Sequence, residues 1–173
     1  MGTRRKGLYS RVACVSDSAM DEAEVRRILE EALRRIEADD RHLLENDLAE
    51  RCIASRLAMY MQPSFNGWSV DVEYNRKGDI AKRLGVPREC ANAVDRNGEA
   101  LVIPDVIVHE RGPQGRNLLV IELKKTTNPV PRGCDRHRVD AFRAQLHYSY
   151  GALIECETRP GRQPAAQLTA WIS

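Results

Sequence analysis

Three side chains in the middle of the chain have the types and spacing of a hydrolytic centre. Asp105 follows Pro104, and Glu122-Leu123-Lys124 comes after an apolar run and a turn. Residues two apart on a strand share a face, so Glu122 and Lys124 leave the same side of the segment from Leu118 to Leu123, which otherwise reads as buried. Two charges in such a strand require a partner or a task. Val106-Ile107-Val108 reads as a second apolar strand, and the turn-rich segment from Arg111 to Arg116 joins the two into a hairpin. Asp105, Glu122 and Lys124 then meet at the open end of that hairpin. Two carboxylates there suit a shared divalent cation, and an ammonium beside them suits an anion or an attacking water.

Pro104-Asp105 followed by Glu122-Leu123-Lys124 resembles the signature of the PD-(D/E)XK nuclease superfamily, and the resemblance spans residues 42 to 156. It implies an α/β chain with the restriction-endonuclease-like fold, a three-layer α/β/α sandwich around a central mixed β-sheet. It also implies a metal-dependent nuclease acting on DNA. Asp105 and Glu122 would bind Mg²⁺ or Mn²⁺ together with the backbone carbonyl of Leu123, and Lys124 would assist the attacking water. Two other readings stand beside this one. The fold can serve as a catalytically silent module that binds nucleic acid or a protein partner, and the same charges can be salt bridges of a small α/β interaction protein. The resemblance leaves a homodimer, or a larger defence or repair complex, open as the assembly.

The elements that must position these residues follow from periodicity. Val25, Ile28, Leu29, Leu33 and Ile36 fit a helix from Asp21 to about Ala38, with Ser18 or Asp21 as N-cap. A second helix is expected from about Arg41 to Met61. At about 100° per residue, Leu43, Glu50, Ala54, Leu57 and Met61 fall near one line, which turns Glu50 into an apolar stripe. A buried carboxylate needs a cation, a metal or a hydrogen-bond donor. Glu50 resembles the glutamate that the first core helix of this superfamily often adds to the metal site; the other reading pairs it with an arginine such as Arg56. Pro63 ends the helix, and Trp68 to Tyr74 alternates as a half-buried strand. Residues 77 to 100 read as a polar insertion with a short helical stretch near Ile80 to Leu84, and Leu101 to Ile103 as the start of the strand delivering Asp105. After a Pro129 and Pro131 loop, Asp135 to Tyr150 reads as a helix capped by Gly151, then Ala152 to Cys156 as a strand and Leu168 to Ile172 as a short edge strand. Gln145 is followed by Ser149 at the offset where RecB-like relatives place a tyrosine, so no role passes to it.

Composition sets the remaining bounds. The 173 residues, 42% hydrophobic and 30% charged, suit one globular domain from 20 to 173 behind a mobile basic arm at 1 to 19. No apolar run suggests a membrane span or a secretory leader, so the expected compartment is the cytoplasm. The five cysteines are odd in number, scattered and without zinc spacing, which reads as free thiols. Net charge is only +2, but from Glu110 to Arg143 there are eight basic residues against four acidic ones. Lys125, Arg132, Arg136, Arg138 and Arg143 are therefore candidates to line a phosphate backbone, although for Lys125 a solvated lysine is the preferred reading. His109 and His137 read as surface residues.

Overall fold

The strand that carries Glu122 and Lys124 is the middle of a five-stranded sheet. The computed structural model describes residues 20–74, 76–77, 80–81, 84–94, 100–112 and 114–173; the basic arm expected at 1 to 19 lies outside them. In chain order the elements are α1 (Glu22–Asp39), α2 (Arg41–Glu45), α3 (Glu50–Met61), β1 (Ser69–Val72), β2 (Arg76–Lys77), β3 (Ile80–Ala81), β4 (Ala93–Val94), β5 (Ala100–Leu101), β6 (Val106–His109), β7 (Asn117–Lys125), α4 (Gly133–Leu146), β8 (Tyr150–Glu157) and β9 (Ala165–Ile172). The large sheet runs β1-β6-β7-β8-β9, and β2-β3 and β4-β5 are separate two-stranded pairs. The protein is therefore α/β with an open mixed sheet. All its pairings are antiparallel except β7 with β8, whose parallel register needs the crossover that α4 supplies.

Alternation along β7 assigns the two faces. Leu119, Ile121 and Leu123 join an apolar cluster with Val25, Leu29 and Ile36 of α1 and with Ile53, Leu57 and Met61 of α3. Val120 turns the other way, into a second cluster with Val139 and Phe142 of α4 and with Ile107. Each such side chain taken wholly out of water contributes roughly 1.5–3 kcal/mol. The α4 face is therefore the one that must also accommodate Glu122 and Lys124. Gly151 lets α4 lie close to β8, since a Cβ there would stand 2.3 Å from Val139 Cγ1. α1 starts at Asp21, whose carboxylate accepts from the Glu24 amide at 2.8 Å.

Several boundaries differ from the periodicity reading. The helix expected from Arg41 to Met61 is two helices, parted at Asn46 to Ala49, where Asp47 takes φ 48°. Asparagine and aspartate tolerate that left-handed backbone, so the break needs neither glycine nor proline. α4 starts at Gly133 and ends at His147 (φ 57°), whose amide closes on Arg143 O, while Gly151 and Tyr150 already belong to β8. Ile80 and Ala81 are a strand rather than a helical stretch, and Leu101 ends β5, a separate strand from β6. His109 is buried, with Nε2 2.9 Å from Asp71 Oδ2. The free-thiol reading holds for Cys52 and Cys156 but not for Cys90 and Cys134, which form a disulfide between the 84–94 segment and the first turn of α4. A reducing compartment would keep that bond open. Among the described residues no helix is long and apolar enough to cross a membrane.

Candidate active site

β6 begins at Val106, which pairs with Ile121, so one step further the register sets Asp105 opposite Glu122. From that point β7 runs on for four residues with no strand on its β6 side among the described residues. Two carboxylates take over the unpaired edge. Asp105 Oδ2 accepts the Leu123 amide at 2.7 Å, and Glu50 Oε1 accepts the Lys125 amide at 2.8 Å and Asn128 Nδ2 at 2.9 Å. The N–H and C=O of one strand residue point to the same side, so the Leu123 carbonyl also leaves β7 on the Asp105 side. Glu50 reaches this edge from the first residue of α3, not from mid-helix. Its charge sits at the positive end of the helix dipole. The alternative partner, Arg56, is held instead by Asp40 and Tyr60.

Glu122 and Lys124 lie on the α4 face of the same strand end. Glu122 is 1% exposed; Oε2 lies 2.7 Å from Arg138 Nη2, and Oε1 has no hydrogen-bond partner among the described residues. Arg138 also reaches Asp135 Oδ1 at 2.5 Å, and Lys124 Nζ lies 3.4 Å from that same oxygen. From sequence Asp135 reads only as the residue that opens a helix, with no role at the site; the crossover is what folds it over β7.

The electrostatics follow from this crowding. Burial is the largest influence on Asp105, and with the charges of Glu50 and Asp135 it outweighs the Leu123 amide and the Arg138 guanidinium, pushing the carboxyl up to about 6. Burial also dominates at Glu122. Together with the Asp105 and Asp135 charges it raises that carboxyl well above its ordinary value against the pull of Arg138. Such mutual disfavouring of ionisation marks carboxylates that gain from an added cation.

The remaining sequence candidates divide. Lys125 is not solvated: its ammonium bonds Asp47 Oδ1 at 2.8 Å and the Asp47 carbonyl at 3.0 Å. Arg138 is turned inward as described, and Arg143, part-buried, reaches the Ser149 carbonyl at 3.3 Å. Arg132 and Arg136 are exposed, paired with Glu155 at 2.5 Å and with Asp140 at 2.9 Å. Gln145 is bonded to the Gly85 backbone, accepting from its amide at 2.9 Å.

Among the described residues no three Asp, Glu, His or Cys side chains converge to enclose a metal. The donors suit a hard cation that keeps several waters, as Mg²⁺ does when held by one or two carboxylates. Asp105 and the unpartnered Oε1 of Glu122 would be those carboxylates, with the Leu123 carbonyl leaving β7 on the Asp105 side. Comparison of the chain with protein-family models, curated proteins and solved structures found no match.

Proposed function

We propose that the protein is a metal-dependent nuclease that hydrolyses phosphodiester bonds in DNA. Its fold is then the three-layer α/β/α sandwich of the restriction-endonuclease-like PD-(D/E)XK enzymes. The observation that carries this reading is the meeting of Asp105, Glu122 and Lys124 where β7 outruns β6, with Glu122 buried and one of its oxygens free. Two helices on one face of the sheet and α4 on the other support the fold half of the reading.

A divalent cation bound there would neutralise phosphate charge and acidify a water at neutral pH. The chain's own groups do the rest. Asp105 and Glu122 hold the cation, and the two amide bonds along the β7 edge keep Asp105 and Glu50 oriented before substrate arrives. Lys124, 9% exposed on its side chain, presents an ammonium to the attacking water or to the charge that develops on the phosphoryl oxygens. Arg132 and Arg136 lie exposed on the α4 side, where a phosphate backbone can exchange with their present carboxylate partners.

One observation favours the catalytically silent reading: Arg138 already places a cation between Glu122 and Asp135. An arginine so placed neutralises the acids permanently, and the module would then bind without turnover. The two readings separate in a cleavage assay with Glu122→Gln and Lys124→Met. The nuclease loses Mg²⁺-dependent cutting in both variants, while a silent module shows none to lose.

A further inference from the structure

Asp135 stands on the wall of a cavity of about 120 Å³ that also includes Glu122, Lys124, Arg132, Glu155 and Thr169. Its side chain is 6% exposed, Oδ1 is taken by Arg138, and Oδ2 has no hydrogen-bond partner among the described residues. Glu122 repeats the arrangement at 1% exposure, with Oε2 on the same guanidinium and Oε1 free. Two buried carboxylates thus each commit one oxygen to a shared arginine and keep the other unpaired, and both residues line one cavity. Buried acceptors are nearly always bonded, and each exception costs stability unless something completes it. Were Asp105, Glu122 and Asp135 all ionised, Lys124 and Arg138 would leave one negative charge unbalanced, which a bound cation would offset.

We propose that Asp135 is a further cation-binding carboxylate of this centre, with its Oδ2 and Glu122 Oε1 receiving the divalent cation from the α4 side. This rests on the metal-dependent reading above. Arg138 is then the positioning residue that fixes the two carboxylates at a common distance, and its charge stabilises the site before the cation arrives. Water completes the coordination, as it does for Mg²⁺ and Mn²⁺ on few protein ligands. In the competing role Asp135 serves only as the counter-ion of Lys124 and Arg138.

Calorimetric titration of Mn²⁺ into the full chain separates these roles without reference to activity. Asp135→Asn is expected to weaken Mn²⁺ binding at least about tenfold, the scale on which residues around a metal act. Asp105→Asn should weaken it as well. Asp140→Asn, on the outer face of the same helix and paired with Arg136, should bind as the parent does. Where Asp135→Asn alone fails to fold, the pair Arg138→Gln and Asp135→Asn/Arg138→Gln carries the comparison, and the double variant must bind more weakly than the single one. Parent-like binding by Asp135→Asn, or equal binding within that pair, overturns the proposal while a loss in Asp105→Asn leaves the metal-dependent reading standing. No Mn²⁺ binding by the parent protein overturns both.

Discussion

Glu50 and Asp105 accept hydrogen bonds from alternate amides of one strand edge, Lys125 and Leu123 of β7, where β6 has already ended. One carboxylate comes from the N-terminus of a helix and the other from the residue just ahead of a strand. Together they satisfy backbone donors that would otherwise be unpaired beside the core, and they turn a sheet edge into an acidic one. The same bonds that complete the sheet therefore pre-position the acids.

Glu50 should reveal both functions when altered in two ways. Glu50→Ala leaves the Lys125 amide and Asn128 without their acceptor and is expected to lower unfolding free energy by about 1–3 kcal/mol in urea titration. Glu50→Gln keeps an acceptor oxygen and should lose less stability, while Mn²⁺ affinity falls. Equal stability losses in the two variants would remove the amide bond from the account.

The raised carboxyl of Asp105 predicts the pH dependence of the metal-free protein. The folded chain holds its proton up to about pH 6, whereas the unfolded chain releases it near 3.8, so stability falls as pH rises through that window. The contribution is about 3 kcal/mol across it. Asp105→Asn should flatten this slope in unfolding measured at several pH values, and stability rising with pH over that window would contradict the assignment.

Arg136 and Arg138 stand two residues apart on α4 with opposite expectations. Arg136 is exposed, and Arg136→Glu should weaken DNA binding and reduce the slope of log affinity against log salt by about one, independent of base sequence. Arg138 is half-buried between Glu122 and Asp135, and Arg138→Met should destabilise the metal-free fold by about 3–5 kcal/mol by leaving those acids without their partner. A fluorescence anisotropy titration in increasing salt and a thermal melt read the two effects separately.

Gly151→Ala tests the packing that brings α4 onto the site. The added methyl would meet Val139 Cγ1 at 2.3 Å, and the overpacking is expected to cost about 1–3 kcal/mol. Activity should fall with stability, since Asp135 and Arg138 ride on the same helix. A neutral effect would mean that α4 can shift freely against β8.

The hairpin β6–β7 and the apolar runs that build the sheet were legible because strand alternation is a local signal, and Glu122 and Lys124 stood out against it. The place of Glu50 was reached through a continuous helix that does not exist: Asp47 breaks it by adopting left-handed backbone that an aspartate tolerates, with no glycine or proline to announce it. The acid still arrives at β7, through the start of α3. Arg138 read as a surface cation because helical spacing alone does not say which neighbour a face meets, and its partners Glu122 and Asp135 are fixed by the crossover. The disulfide was out of reach for the same reason, since 44 residues separate Cys90 from Cys134.

The central claim is tested most directly by incubating the protein with circular and linear DNA in Mg²⁺, in Mn²⁺ and in chelator, alongside Asp105→Ala. The account predicts cutting of DNA by the parent protein with either cation, none in chelator, and none by Asp105→Ala while that variant keeps its folded circular-dichroism spectrum. Cleavage by Asp105→Ala at the parent rate, or parent cleavage that persists in chelator, would contradict it.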